Sequence, residues 1–157
     1  MNRSIESMIR FVNLTAAGLL AGSLGFGEQA LVPGWQNELP REWRRPFEAL
    51  RRVSYANAIG PVALGTAVAL AVATRGGTMR RTLDSAAAVG LAGVLATTVM
   101  VTVPINKELE AQPPADYEHD RSKSLSRNWS RAHAVRTALG VGAFVCAVAS
   151  NLSARKS

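Results

Sequence analysis

The residues from Arg127 to Thr137 read Arg-Asn-Trp-Ser-Arg-Ala-His-Ala-Val-Arg-Thr and lead directly into the apolar segment 138–149. At helical spacing, several of the side chains in and just after this stretch share one face: Trp129, His133, Arg136, Thr137 and Gly140. Ionisable groups inside an apolar helix are costly, so a His and an Arg carried into one indicate a functional site. A neutral imidazole can accept a proton, and a guanidinium can stabilise a developing negative charge.

Three further polar residues are expected at the same depth as His133. Glu28 lies near the end of the first apolar segment, Asn57 near the start of the second, and Asn106 just after Pro104 at the end of the third. Their positions in the chain bring all of them to one end of a helical bundle. The sequence therefore predicts a shared polar pocket at that end.

Each of these polar residues also has a purely structural interpretation. Glu28 can be the ion partner of Arg136 or Arg131. The two asparagines, Asn57 and Asn106, can satisfy backbone groups near prolines. Trp129 can be an interfacial anchor, as tryptophans at the ends of membrane helices commonly are.

The composition favours a membrane protein. Hydrophobic residues make up 48% of the 157-residue chain and aromatic residues only 6%. Much of the apolar content is therefore Ala, Val, Leu and Gly, which suit close-packed membrane helices. The net charge is +7, and the charged residues lie between the apolar runs. This arrangement favours contact with anionic lipid headgroups. No basic recognition helix is present, so nucleic acid is not an expected partner. The single cysteine, Cys146, is interpreted as a small buried hydrophobe.

Four apolar segments are predicted to be helices, because a backbone in lipid must satisfy its own hydrogen bonds. Each is close to the roughly 20 residues that cross a bilayer, and they cover residues 8–32, 55–74, 85–103 and 132–152. The first can also be interpreted as a signal peptide, but no clear cleavage site follows it, which favours an uncleaved helix. Pro104 is expected to kink or end the third helix.

These segments predict one all-α domain over residues 1–157, an integral membrane four-helix bundle. The connection 75–84 is short, whereas 33–54 and 104–131 are longer and polar. The two longer connections are therefore expected to cap one side of the bundle, with both termini on the other side. The expected location is the bacterial cytoplasmic membrane, crossed several times. Basic residues lie on both sides, so the orientation stays open.

Two motifs carry a family resemblance: Val103-Pro-Ile-Asn106, and Trp129-Ser-Arg-Ala-His133-Ala-Val-Arg-Thr137 before an apolar helix. With the first two spans they resemble the small four-helix membrane family of anthrone oxygenases and its bacterial relatives. The resemblance implies oxidation of anthrones to anthraquinones with molecular oxygen as co-substrate and without an evident cofactor. Gly140 stands where an acidic residue often follows the Arg-Thr pair in that family.

The resemblance implies an oxygenase that begins by abstracting a proton, and the residues can support this chemistry. Neutral His133 is the candidate base, and Arg136 or Asn106 can stabilise the enolate oxygen. Trp129 can stack on a flat aromatic substrate. Three more residues are predicted to contact the substrate: Asn57, Glu28 and Thr137.

Several alternatives remain open at this stage. A metal site can be built from the histidines and nearby carboxylates, namely His119, His133, Glu28, Glu108 and Glu110. The chain can catalyse another oxidation, or a rearrangement, on a nitrogen-containing natural product. It can also be a non-catalytic membrane protein that binds or transports a hydrophobic metabolite, or a scaffold for pathway enzymes. A homo-oligomer is a further possible assembly, and no Gly-rich phosphate-binding loop is present.

Overall fold

A computed structural model describes residues 2–33, 55–74, 77–111 and 119–153, and these ranges contain helices and no strand. The helices are α1 (Arg3–Phe26), α2 (Tyr55–Ala73), α3 (Thr78–Thr97), α4 (Val103–Ala111) and α5 (His119–Ser153). A π-helical turn, Gly27–Leu31, continues α1, and a second one, Thr98–Thr102, joins α3 to α4 in one continuous rod. The prediction of an all-α four-helix bundle is confirmed.

The helices form four rods: α1 with its turn, α2, α3 joined to α4 (the third rod), and α5. These rods pack around a core of small side chains. α1 contacts α2 and α5, and α3 contacts α2 and α5, so each rod has two neighbours. The central buried cluster consists of Ala16, Ala63, Ala67, Leu91 and Ala143. At Gly90, an added Cβ would lie 3.0 Å from the Cβ of Ala143 and 3.1 Å from the carbonyl oxygen of Leu139. The backbones of α3 and α5 therefore approach closely, as small residues allow in membrane bundles.

Large apolar side chains point outward instead of into this core. Phe11 is 71% exposed, Val72 80% and Met100 75%. A surface this apolar suits lipid better than water. Among the described residues, three segments are long and apolar enough to cross a membrane: Ser4–Ala30, Thr78–Leu109 and Lys123–Ser153. The apolar part of α2, Ala58–Ala73, is shorter.

The third rod and α5 extend furthest beyond the apolar segments that predicted them. The third rod covers 78–111 instead of 85–103, and α5 begins at His119 instead of near residue 132. The added turns are held by their own contacts, because Leu109 and Leu125 form a second buried cluster. Beside it, Arg121 donates a hydrogen bond of 2.8 Å from Nε to Glu108. Helix length here follows packing between α4 and α5 as well as hydropathy.

The helix does not end at Pro104, because a π-helical turn precedes it. Both such turns end two residues before a proline, Pro33 in the first case and Pro104 in the second. The N–H of Val32 bonds to the carbonyl of Gly27, and the N–H of Val103 bonds to that of Thr98. A proline ring collides with the carbonyl four residues earlier in a regular α-helix. The wider turn accommodates the ring, so the third helix continues past Pro104 to Ala111.

At the end of the bundle with the chain termini, a buried polar network joins the four rods through Arg10. Its Nε donates to Glu6 at 3.0 Å, and its Nη1 and Nη2 donate to the carboxylate of Asp84 at 3.2 and 3.0 Å. The hydroxyls of Ser150 and Thr74 accept from the same guanidinium at 3.2 and 3.0 Å. All five N–H groups of Arg10 are thus used, which marks this end as a structural clamp.

Candidate functional site

His133 is the centre of the candidate site, and both of its ring nitrogens are engaged. Nη2 of Arg136 lies 2.6 Å from Nδ1, and the carbonyl oxygen of Leu24 lies 3.1 Å from Nε2. A guanidinium can only donate and a carbonyl can only accept. Nδ1 therefore accepts and Nε2 carries the proton, so this geometry assigns the neutral Nε2–H tautomer.

Trp129 fixes the plane of the imidazole. The ring centroids of Trp129 and His133 are 4.9 Å apart and the rings are within 8° of parallel. The guanidinium carbon of Arg136 lies 5.9 Å from the indole centroid. Trp129 is only 6% exposed, so it belongs to the bundle interior. One face of its indole is occupied by the imidazole.

The π-helical turn after α1 allows His133 to reach the backbone of that helix. A Cβ built on Gly27 would lie 2.7 Å from Nε2 of His133, so a side chain there would collide with the ring. The carbonyl of Leu24 precedes the turn and accepts from Nε2. The hydroxyl of Thr137 lies 3.4 Å from the same oxygen and donates to the carbonyl of His133 at 3.0 Å. The absence of a side chain at Gly27 therefore makes the contact between α1 and α5 possible.

Arg136 is buried without an anionic partner. It is 9% exposed, and its Nη1 donates to Thr98 at 3.2 Å. Its Nε atom is buried and has no hydrogen-bond partner. No carboxylate of the described part of the chain lies within 4.0 Å of it. A buried cation with unused donors contrasts with the saturated Arg10 and is suited to an anionic group of a ligand.

Glu28 contacts His133 and not Arg136. Its Oε2 atom lies 3.9 Å from Nε2 of His133, is buried, and has no hydrogen-bond partner. The side chain as a whole is 35% exposed. The interpretation of Glu28 as the ion partner of Arg136 or Arg131 is therefore wrong, because the carboxylate meets the far side of the imidazole.

Asn106 lies at the same end of the bundle but does not bond to the His–Arg pair. Thr98, Thr102 and Asn106 follow one another at intervals of four along the third rod. Thr102 is 4% exposed, and its hydroxyl and the amide oxygen of Asn106 are both buried without a hydrogen-bond partner. Asn57 lies in the first turn of α2, and its side chain lies outside the described residues.

Unsatisfied polar atoms thus gather at this end. They are Glu28 Oε2, Thr102 Oγ1, Asn106 Oδ1 and Arg136 Nε. Most buried polar groups in folded proteins have a partner, so each exception requires an explanation. A polar ligand bound at this end would supply one.

A groove of about 420 Å³ runs along the contact between the third rod and α5. Its walls are mainly apolar and are formed by Thr97, Val101, Ile105, Asn128, Arg131, Ala132 and Val135. Small-molecule sites commonly measure about 300–1,000 Å³. Ala132 and Val135 directly precede His133 and Arg136, so the groove lies on the neighbouring face of α5, turned by about 100°.

Of the residues of the metal alternative, the described part of the chain brings together only His133 and Glu28, which are 3.9 Å apart. Within those ranges, no group of three or more His, Cys, Asp or Glu side chains is placed to hold a metal ion. Glu108 instead pairs with Arg121. The side chains of His119 and Glu110 lie outside the described residues.

Several parts of the site were missed by sequence reasoning: the Leu24 carbonyl, Gly27, Thr98 and Thr102. Pro104 was the available signal, because a proline inside a continuing helix frees or displaces nearby carbonyls. The pair Thr97 and Thr98, about two turns before Pro104, was a weaker signal. Which carbonyl is freed depends on the width of the turn, and this follows from packing.

The fold and site define a class of protein: an all-helical bundle with membrane-length helices and a buried His–Arg pair at one end. The chain belongs to the anthrone oxygenase family, whose sequence profile matches residues 47–146, well over half of its 157 residues. The matched region includes His133 and Arg136 but not Glu28. No curated protein and no solved structure matches the chain.

Proposed function

We propose that this protein is a membrane-embedded oxygenase that oxidises a hydrophobic, anthrone-like substrate, with dioxygen as co-substrate and no tightly bound metal or flavin. Its four helices cross the bacterial cytoplasmic membrane with both termini on one side. The observation that carries the proposal is Arg136, a buried cation without a carboxylate partner, held against the neutral ring of His133. Family membership supports an oxygenase-type role.

The proposed reaction converts a benzylic CH₂ group and O₂ into a ketone and water. Loss of one C–H proton gives an enolate, whose electron pair forms a C–O bond with dioxygen. The resulting peroxide anion takes up a proton. Loss of the second C–H proton then breaks the O–O bond, releases hydroxide that is protonated to water, and leaves the C=O group. The carbon supplies all four electrons that reduce dioxygen, so no other reductant is required.

In this mechanism Arg136 changes partner when the substrate binds. Its bond to Nδ1 of His133 covers the lone pair that a base needs. A substrate carbonyl oxygen that becomes negatively charged attracts the guanidinium more strongly than a neutral imidazole does. Turning Arg136 toward this oxygen stabilises the enolate and exposes Nδ1. The base is thereby available only when the oxyanion acceptor is present.

The remaining site residues bind and orient the substrate. The amide of Asn106 and the hydroxyl of Thr102 have buried oxygens without partners, which suits a polar group or water that accompanies the substrate. Trp129 holds the base by stacking on its imidazole, while Thr137 and Asn57 border the same end of the bundle. The apolar groove beside Val135 has a volume of about 420 Å³, which is within the range of small-molecule sites.

Oxygen uptake and ketone formation with anthrone, measured on protein in detergent or vesicles, test the proposal. His133→Ala should lower kcat by about 10²–10⁴ with little change in binding, because a base acts in the transition state. Metal and flavin analysis of the active protein accompanies the assay. Wild-type rates for both His133→Ala and Arg136→Ala would contradict the catalytic roles. Stoichiometric iron or copper, with activity lost on chelation and restored by metal, would contradict the cofactor-independent mechanism.

A non-catalytic binding protein for the same ligand class is the second candidate. The observation that favours it is that both nitrogens of His133 already have partners. Saturable binding of anthrone that depends on His133, without turnover by the wild-type protein, would establish this alternative. A pathway enzyme acting on a nitrogen-containing substrate would instead turn over hydroxylamines or related compounds and leave anthrone unchanged.

A further inference from the structure

We propose that Glu28 is the terminal proton acceptor of a relay through His133, in which Nδ1 takes the substrate proton while Nε2 passes its own proton to Glu28. This inference rests on the proposed function and assigns the final destination of the proton. Glu28 acts on the substrate only through His133. The geometry that carries it is the buried, unpartnered Oε2 atom of Glu28, 3.9 Å from Nε2.

The first step concerns charge. If His133 accepted a proton at Nδ1 and kept the one at Nε2, an imidazolium would form beside the guanidinium of Arg136. The two groups are buried, 5% and 9% exposed, and like charges at this distance in a low dielectric repel strongly. Releasing the Nε2 proton as Nδ1 gains one keeps the ring neutral throughout.

The second step identifies the acceptor. Nε2 now donates to the carbonyl oxygen of Leu24 at 3.1 Å, and a backbone carbonyl cannot keep a proton. The carboxylate of Glu28 can. Its distance of 3.9 Å exceeds the roughly 2.6–3.2 Å of a proton-transfer contact, but such contacts often tighten when substrate binds. A modest side-chain movement closes the gap, because Oε2 has no competing hydrogen bond.

The third step concerns where the charge and the proton go. Before transfer the negative charge is on Glu28, and afterwards it is on the enolate oxygen beside Arg136. The total charge of the site does not change. Glu28 is 35% exposed, so it connects the buried ring to the outer face of the bundle. The same proton can return through the ring to the peroxide anion, which closes the cycle.

The experiment compares Glu28→Gln, Glu28→Asp and Glu28→Ala with wild type and with Glu108→Gln. Glu108 is a matched control, since it is a carboxylate at the same end of the bundle that pairs with Arg121. Enolate formation from anthrone is followed by absorbance without oxygen, which separates proton abstraction from oxygenation. Oxygen uptake, anthrone binding and thermal unfolding are measured in parallel.

We expect Glu28→Gln to bind anthrone and fold normally but to form enolate about 10²–10⁴ times more slowly. Glu28→Asp should keep part of the rate, formate should restore turnover in Glu28→Ala, and Glu108→Gln should match wild type. A Glu28→Gln rate near wild type, with His133→Ala inactive, would overturn the relay and leave the proposed function intact. So would equal loss in the Gln and Asp variants without formate rescue, because this indicates a structural role. A wild-type protein that neither deprotonates nor oxidises anthrone would overturn both proposals.

Discussion

Arg136 covers the ring nitrogen of His133 that a general base would use, with Nη2 2.6 Å from Nδ1. The same contact therefore orients the imidazole and blocks its lone pair. Thr98 holds the other end of the guanidinium through Nη1 at 3.2 Å, so Arg136 can release His133 while it remains anchored to the third rod. This arrangement connects substrate binding to the exposure of the base.

The close approach between α1 and His133 gives the first prediction. Gly27→Ala should lower kcat at least about tenfold, because the new Cβ would lie 2.7 Å from Nε2 of His133 and displace the ring. Turnover with anthrone and thermal unfolding in detergent are the measurements.

Gly22→Ala is the matched control in the same helix, since a Cβ there meets nothing within 4 Å. It should keep full activity and gain about 0.5–1 kcal/mol of stability from helix propensity. Equal activity of Gly27→Ala and Gly22→Ala would show that the position of the ring does not matter for turnover.

The network around Arg10 gives the second prediction, which concerns stability. Arg10→Met and Asp84→Leu should each lower the free energy of unfolding by about 3–5 kcal/mol, because each leaves a buried charge without its partner. The double variant should lose much less than the sum. Reversible unfolding of all three variants measures the coupling. Additive losses would mean that the contact between the two residues is not a significant source of stability.

The groove beside the site gives the third prediction. Val135 is 52% exposed and lines the groove, so Val135→Phe should fill part of it and raise KM several-fold while kcat changes little. Val145→Phe, at a 57% exposed position two to three turns along α5, should leave both constants unchanged. A Val135→Phe variant with an unchanged KM would place the substrate elsewhere.

The fold was largely predictable, because hydropathy identifies apolar helices irrespective of their detailed packing. The bundle and the depth shared by Glu28 and His133 followed from four segments and their order. The ends of the helices did not follow, since the polar turns before His133 are held by contacts such as that between Leu109 and Leu125. Hydropathy has no information about such contacts between polar extensions of two helices.

The pairing of charges was the least predictable part. Arg10 lies near the start of the first apolar segment and Asp84 just before the third, yet the two form the buried clamp at this end of the bundle. Two charges inside long helices are expected to pair, but sequence alone does not say which acid meets which arginine. By its depth in the bundle Glu28 could pair with Arg136 or Arg131, but it contacts His133 instead, because the π-helical turn at Gly27 changes the direction of the side chains that follow.

The last prediction concerns the geometry of the cation at residue 136. Arg136→Lys keeps a positive charge but has one ammonium group, which cannot reach Thr98, His133 and a substrate oxygen in the way that a planar guanidinium can. We expect kcat to fall by about 10²–10³, the usual effect of losing one oxyanion donor, with a smaller change in KM. Steady-state oxygen uptake and enolate formation without oxygen measure the effect.

Arg127→Lys is the control, because Arg127 is exposed on the same helix, one turn or more before His133, and its replacement should leave the rate unchanged.

Adding Arg136→Lys to His133→Ala tests whether the pair acts as a unit. Groups that work together lose little more when both are removed than when one is, so the double variant should be about as slow as His133→Ala alone. Multiplied losses in the double variant would mean that the two side chains act independently. A wild-type rate for Arg136→Lys would mean that charge alone is sufficient and that the planar contact with His133 has no part in turnover.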